Sequence, residues 1–159
     1  MEIIEQFELS ETLDDKTLRQ RLKAQGVEAR RLSRFTQLAL FGALALKDHI
    51  TPESRIYLGS SFNSPSKFHK MFDSLMNDGV PSPLDFMANI NNAATFHITQ
   101  TLNTQGGSVF LALEKSELEQ LFQLAELDLQ INQTALIGWV KEDSESIEFD
   151  ESCWWLVRA

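Results

Sequence analysis

The turn after the predicted strand Ser108 to Leu113 is the position in this sequence where chemistry is most expected. Ser116 with Glu119 has the spacing of a capping box, so a helix should follow the strand directly. A side chain at such a turn lies at a helix N-terminus, where backbone amides stabilise negative charge and activate nucleophiles. No cysteine and no GxSxG motif occupies this turn. Glu114 could act there as a carboxylate, but the preference of acids for helix N-termini is a sufficient explanation of it.

The remaining residue types that could bind a metal, a phosphate or an electrophile lack a supporting pattern. His49, His69 and His97 have no mutual spacing typical of a metal site. Cys153 precedes two tryptophans in a predicted strand, which indicates a buried, unreactive thiol. Gly106-Gly107 has neither GxGxxG nor GxxxxGK around it, so no phosphate loop is indicated. We therefore predict no metal and no cofactor.

A basic cluster stands out from an acidic background. Six of the 14 basic residues lie within sixteen positions: Arg19, Arg21, Lys23, Arg30, Arg31 and Arg34. A solvated helix face would explain them. The alternative is a docking patch for an acidic partner, in which Arg30, Arg31 and Arg34 present guanidinium groups to carboxylates or phosphates.

Composition narrows the classes of function. The chain has 159 residues, 43% of them hydrophobic, which suffices for one packed core, and we predict a single domain over residues 1–159. A net charge of −9 argues against nucleic-acid binding. The longest apolar run, Leu38 to Leu46, is too short to span a bilayer, and the first residues do not resemble a signal peptide. A single cysteine favours a reducing, cytoplasmic setting. The acidic run Glu142 to Glu151 reads as a solvated loop.

Strands alternate with helices along the whole chain, which predicts an α/β fold with a mixed five-stranded sheet and helices on both faces. The predicted strands are 2–9, 55–60, 108–113, 134–140 and 152–157. The predicted helices begin near residues 14, 33, 64, 82, 92 and 116.

The predicted helix 116–130 is unusual because it carries two apolar stripes. Its first stripe is Leu118, Leu121, Phe122, Ala125 and Leu129. The second is Leu124, Leu127 and Ile131. One sheet can bury only one stripe, so the second should contact a partner, unless residues 1–34 or the C-terminal strand fold over it. Leu124 and Leu127 are the predicted partner-binding residues of this helix.

Several motifs in this order resemble a known family. The segments RRLSRFTQLALFGALAL (30–46), IYLGSS (56–61), SPLDF (82–86) and NNAA (91–94), followed by the glycine turn, strand and helix, are similar to the N-terminal half of β-ketoacyl synthases. The resemblance is closest to short ketosynthase-like and chain-length-factor-like proteins of bacterial polyketide and aryl-polyene clusters. It implies a thiolase-like half-domain. It also implies that the family's catalytic cysteine position falls at or next to Glu114, while the family's catalytic histidines belong to the other half.

The resemblance implies a non-catalytic accessory subunit of fatty-acid or polyketide-type synthesis. Such a subunit would act through a partner ketosynthase or an acyl carrier protein, with the carrier protein docking at the basic cluster. In the family, the strand equivalent to 108–113 pairs across a dimer axis, so we expect a homodimer or a heterodimer. Two alternatives stay open. Glu114 could act on an acyl thioester, for example in decarboxylation, or the chain could be an interaction module unrelated to acyl chains.

Overall fold

The computed structural model describes residues 1–159. In chain order its main elements are β1 (Glu2–Glu8), α1 (Asp15–Ala24), α2 (Arg34–Ala45), β2 (Arg55–Ser60), α3 (Pro65–Asp78), α4 (Pro83–Ala88), α5 (Ala93–Leu102), β3 (Ser108–Ala112), α6 (Glu119–Asp128), β4 (Thr134–Lys141) and β5 (Glu151–Arg158). Short 3-10 turns lie at Lys47–His49, Lys115–Glu117 and Ile147–Phe149. None of the helices combines the length and the apolar character that a membrane span requires.

The five strands form one mixed sheet in the order β1-β5-β4-β2-β3. Strand β2 pairs in parallel with β3 and β4, whereas β5 pairs antiparallel with β4 and β1. Helices α1, α2 and α5 cover one face, and α6 covers the other. The predicted fold class is therefore confirmed. The two edge strands of the sheet are β1 and β3.

Local sequence explains where the helices begin. The side chains of Asp14, Ser33 and Ser64 each accept a hydrogen bond from the backbone amide three residues later, at the starts of α1, α2 and α3. Proline occupies the first position of α3 and of α4, where its missing N–H costs no helical hydrogen bond. Most of α2 is buried, as its nearly unbroken apolar second half predicts.

Helices α3 and α4 pack on each other beside the sheet layers. The apolar stripe of α3 would ordinarily face a core. Here Phe68, Phe72, Leu75 and Met76 are instead exposed. The helix predicted to begin near residue 64 is confirmed, but its apolar stripe lies on the surface.

Glu142, at the end of β4, anchors two helix N-termini to the sheet. Its carboxylate is 4% exposed and accepts hydrogen bonds from the Phe35 amide (3.1 Å), the Ser64 hydroxyl (2.7 Å) and the Ser66 amide (3.2 Å). The Ser66 hydroxyl also donates to it. The interpretation of Glu142 as part of a solvated loop was wrong, because the N-terminal amides of α2 and α3 bind this carboxylate inside the protein.

Candidate functional site

The strand-to-helix turn holds Glu114 in a structural role. Its side chain accepts a hydrogen bond from the Glu117 amide, and the Glu117 carboxylate accepts one from the Glu114 amide at 3.0 Å. This is a capping box for the 3-10 turn, two residues earlier than the predicted pair Ser116 and Glu119. Glu114 is exposed to solvent. The geometry gives it no neighbour that would make it an acid or a base.

The two nucleophile types near this turn are both held in unreactive forms. Lys115 pairs with Glu151 and lies 5.4 Å from the ring centroid of Trp139. The hydrogen bond to Glu151 raises the pKa of Lys115, which keeps its amine protonated. Cys153 pairs with Trp139 across β5 and β4, and its burial raises the pKa of the thiol. No group of three or more His, Cys, Asp or Glu side chains is arranged to hold a metal ion.

The structure divides the basic cluster. Arg34 is only 11% exposed, and its guanidinium pairs with Asp150 (2.7 Å) and Asp15 (2.8 Å). It therefore fixes the start of α2 against the end of the sheet, and we remove it from the predicted docking residues. Arg30 and Arg31 are exposed and make no ion pair.

A groove of about 470 Å³ begins at Arg31 and runs between the α1–α2 connection and the α4–α5 region. We call it the Arg31 groove. It is lined by Arg31, Leu32, Ser33, Thr36, Leu84, Met87, Ala88, Ile90, Asn92, Ala93, Phe96 and His97. Not one acidic residue is among them, although acidic residues outnumber basic ones 23 to 14 in the chain.

His97, which lines the Arg31 groove, should make the free energy of unfolding fall at mildly acidic pH. Burial lowers its pKa below the ordinary value of 6.5, so the unfolded chain takes up a proton before the folded protein does. The contribution of His97 is therefore complete above about pH 6.5 and is lost as the pH falls below it. Urea titrations at about pH 7.5 and pH 5.5 should show a smaller stability loss in His97→Gln than in wild type. An equal loss in both proteins would contradict this role.

A second cavity, also about 470 Å³, joins the α3–α4 pair to β3. The aromatic side chains in its wall are Phe62, Phe68, Phe86 and Phe110. Eleven large hydrophobic residues between positions 62 and 96 are exposed, and we call them the apolar band: Phe62, Phe68, Phe72, Leu75, Met76, Val80, Leu84, Phe86, Met87, Ile90 and Phe96. The Phe62 ring contacts the Phe68 ring, which stacks on Phe72, and exposed apolar patches often mark sites of protein interaction.

Strand β3 has an open side next to the apolar band. The Gly107 carbonyl accepts from the Ile56 amide, and the Leu113 amide donates to the Ser60 carbonyl, so odd-numbered residues face β2. Backbone groups alternate sides along a strand. The N–H and C=O groups of Ser108, Phe110 and Ala112 therefore point to the open edge.

The second stripe of α6 is only partly covered. Leu124 packs half-buried against the core beneath α6, whereas Leu127 and Ile131 are each 88% exposed. Neither residues 1–34 nor β5 folds over them. The helix itself is shorter than predicted, because the 3-10 turn Lys115–Glu117 replaces its first turn.

The apolar band was not predicted from the sequence, although the sequence contains a signal for it. Residues 62–96 hold five of the 11 phenylalanines and three of the four methionines but only five charged residues. Aromatic and methionine side chains are enriched at protein interfaces, from which charged residues are depleted. Composition by segment, added to periodicity, would have identified this surface.

No protein-family model and no curated protein matches the sequence. Solved structures do match. One is a complex of the ketosynthase ApeO with its chain length factor ApeC from Xenorhabdus doucetiae, with a TM-score of 0.71 and 12% identity over 99% of this chain and 78% of the matched chain.

Two further matches are similar in kind. The ishigamide ketosynthase/chain length factor matches with a TM-score of 0.63 and 13% identity, over 87% of this chain and 47% of the other. AntDE:AntF is a type II polyketide synthase acyl carrier protein in complex with its ketosynthase bound to the hexaketide. It matches with a TM-score of 0.67 and 14% identity, over 92% of this chain and 51% of the matched chain. This chain thus spans about half the length of these two chains. The resemblance drawn from sequence is confirmed at the level of the fold: the chain has a ketosynthase-like, chain-length-factor-like fold of the thiolase-like type.

Proposed function

We propose that this chain is a non-catalytic ketosynthase-like accessory subunit that acts through a partner chain of the same fold. The observation that carries the proposal is the open edge of β3 lying beside the apolar band. An exposed strand edge next to an apolar surface invites pairing with another strand. The solved relatives in fold are themselves complexes of ketosynthases with chain length factors or a carrier protein.

The geometry of the edge suits a partner with the same fold. Helix α5 packs over β2 and β3. If an equivalent strand paired antiparallel with β3, the two copies of this helix would lie roughly 10 Å apart, given a strand spacing of about 4.8 Å. Helices pack against one another at about this distance. Strand pairing and helix packing would therefore form together, either in a homodimer or in a heterodimer with a ketosynthase.

The proposed pathway class is fatty-acid or polyketide-type synthesis, including the aryl-polyene systems. An acyl carrier protein is the second proposed partner, and Arg30 and Arg31 are its proposed contacts. Their free guanidinium groups suit an acidic protein. We propose a single domain and a cytoplasmic setting, as the sequence predicts. Decarboxylation by Glu114 has no geometric support, because that side chain caps its own turn.

The absence of condensing chemistry can be tested directly. Incubation of the pure protein with acyl-carrier-protein thioesters should give no covalent adduct by intact mass and no condensation product. The reason is that Lys115 is held protonated and the Cys153 thiol is buried with a raised pKa. A stable acyl adduct that disappears in Cys153→Ala would overturn the non-catalytic assignment, whereas Glu114→Gln serves as the matched control at the turn.

A further inference from the structure

We infer that the outer side of α6 is a docking surface for a basic amphipathic helix of another protein. This surface, which we call the α6 ridge, consists of Gln120, Gln123 and Leu127 on the helix and Ile131 just after it. The apolar side chains of the ridge would meet those of the partner helix, and the acids beside the ridge would meet its Lys or Arg residues. The ridge shares no residue with the open edge of β3, so the inference goes beyond the proposed function.

The α6 ridge is apolar at a place where a surface helix is ordinarily polar. Leu127 and Ile131 are each 88% exposed, the highest exposed fractions among the large hydrophobic residues of the chain. The buried residues of the same helix, Leu121 and Ala125, pack against the sheet on its other side. The ridge therefore faces away from the core. A narrow convex row of this kind suits a second helix laid alongside, because helices pack with their axes about 8–10 Å apart.

The charges beside the α6 ridge determine the sign of the partner. Residues 116–133 contain no lysine, arginine or histidine. Glu119 and Glu126 are exposed, make no ion pair and lie seven residues apart, so both carboxylates line one flank of the ridge. Arg55, which reaches this helix from β2, is already paired with Asp128 at 2.7 Å. The flank therefore favours cations from outside the chain.

A second copy of this chain does not supply those cations through the same ridge. In a twofold, antiparallel pair of α6 helices, Glu119 of one copy would lie near Glu126 of the other, and like charges brought together oppose the contact. The exposed, unpaired Arg30 and Arg31 belong to the connection between helices on the opposite face of the sheet. The occupant is therefore a different protein, whose helix carries Lys or Arg beside its apolar row.

Binding of a synthetic helical peptide to the full chain tests the inference. The probe has leucine on one side and lysine on the other, and the same peptide with glutamate in place of lysine is its control. The lysine peptide should bind at least about tenfold more tightly, and its affinity should fall as salt rises from about 0.05 to 0.5 M. Leu127→Gln with Ile131→Gln should weaken its binding about tenfold, because the apolar contacts are lost. Glu119→Lys with Glu126→Lys should weaken it about tenfold and flatten the salt dependence.

Two matched variants change the same residue types elsewhere on the surface. Leu75→Gln with Met76→Gln alters exposed apolar residues of α3, and Glu145→Lys with Glu148→Lys alters exposed acids of the loop before β5. Both should bind the lysine peptide within about twofold of wild type. Circular dichroism of each variant checks that it folds.

Four results would overturn the inference. The first two are a lysine peptide that does not bind and a glutamate peptide that binds equally well. The third is a loss of affinity in the α3 variant but not in Leu127→Gln with Ile131→Gln, which would assign the peptide to the apolar band. The fourth is self-association that persists in Ala112→Pro and disappears in Leu127→Gln with Ile131→Gln, which would make a second copy the occupant. None of these results decides whether a partner strand pairs with β3.

Discussion

Replacing Glu142 with alanine is expected to lower the free energy of unfolding by about 3–5 kcal/mol. The carboxylate accepts from the Phe35 amide and from both the amide and hydroxyl groups of Ser66, as well as from the Ser64 hydroxyl. Alanine would leave these donors without an acceptor in a site that water reaches poorly. It would also remove a negative charge from two helix N-termini.

Urea unfolding measures this loss, and two further variants make the cause identifiable. Glu145→Ala removes an exposed acid from the same loop and should change stability by less than about 0.5 kcal/mol. Glu142→Gln keeps an acceptor oxygen and should recover part of the loss. A loss below about 1 kcal/mol for Glu142→Ala would show that these hydrogen bonds do not hold α3 in place.

Replacing Ala112 with proline should weaken partner binding about 100-fold while leaving the fold nearly unchanged. The Ala112 N–H points to the open edge of β3, so proline removes a donor for the partner strand without breaking a bond to β2. Proline is tolerated in an edge strand of this kind. Light scattering of the chain alone, and of the chain with a ketosynthase from the same genome, measures the effect.

Ala112→Ser is the matched control, because it keeps the backbone N–H and should keep the complex. Phe72→Glu with Leu75→Glu in the apolar band should weaken the same complex, since charges would be buried at the interface. If Ala112→Pro forms the complex as well as wild type, the open edge is not the partner strand's site. A wild type that stays monomeric and binds no ketosynthase would reject the proposed function.

The sequence predicted the elements well because local signals agree with the fold. Each helix start that carries a capping Ser or Asp, or a proline at its first position, lies within a residue or two of the predicted one. The glycine turn before β3 and the polar loop before β5 separate apolar strands cleanly. Local propensity and tertiary packing point to the same answer in these segments.

The contacts of individual polar side chains were harder to predict, because the partners lie in segments that are distant in the sequence. Arg34 reads as part of a basic cluster, yet it pairs with Asp150, which lies 116 residues away. Glu142 reads as one acid in a polar loop, yet two helix N-termini converge on it. Nothing in a one-dimensional pattern indicates which acid of a run will meet which helix.

The apolar stripe of α3 shows a different limit. A period of 3.6 residues predicts that one face of a helix is apolar, but it does not tell whether that face meets its own core or a partner. Leu127, on α6, and Ile131, just after it, were predicted to contact a partner, because the sheet can bury only one of the two apolar stripes. Helix α3 has only one apolar stripe, as an ordinary core-facing helix does. Only its high content of Phe and Met indicates that this stripe lies on the surface.

Hydrogen–deuterium exchange over residues 108–113 tests the central claim most directly. With a ketosynthase bound, or in a homodimer, the amides of Ser108, Phe110 and Ala112 should exchange much more slowly than in the monomeric chain, because a partner strand accepts from them. The amides of Val109 and Leu111 bond to β2 in both states and supply the internal reference. Protection of all three edge amides only in the complex is the predicted result. A stable complex in which they exchange as fast as in the free chain would contradict strand pairing at β3.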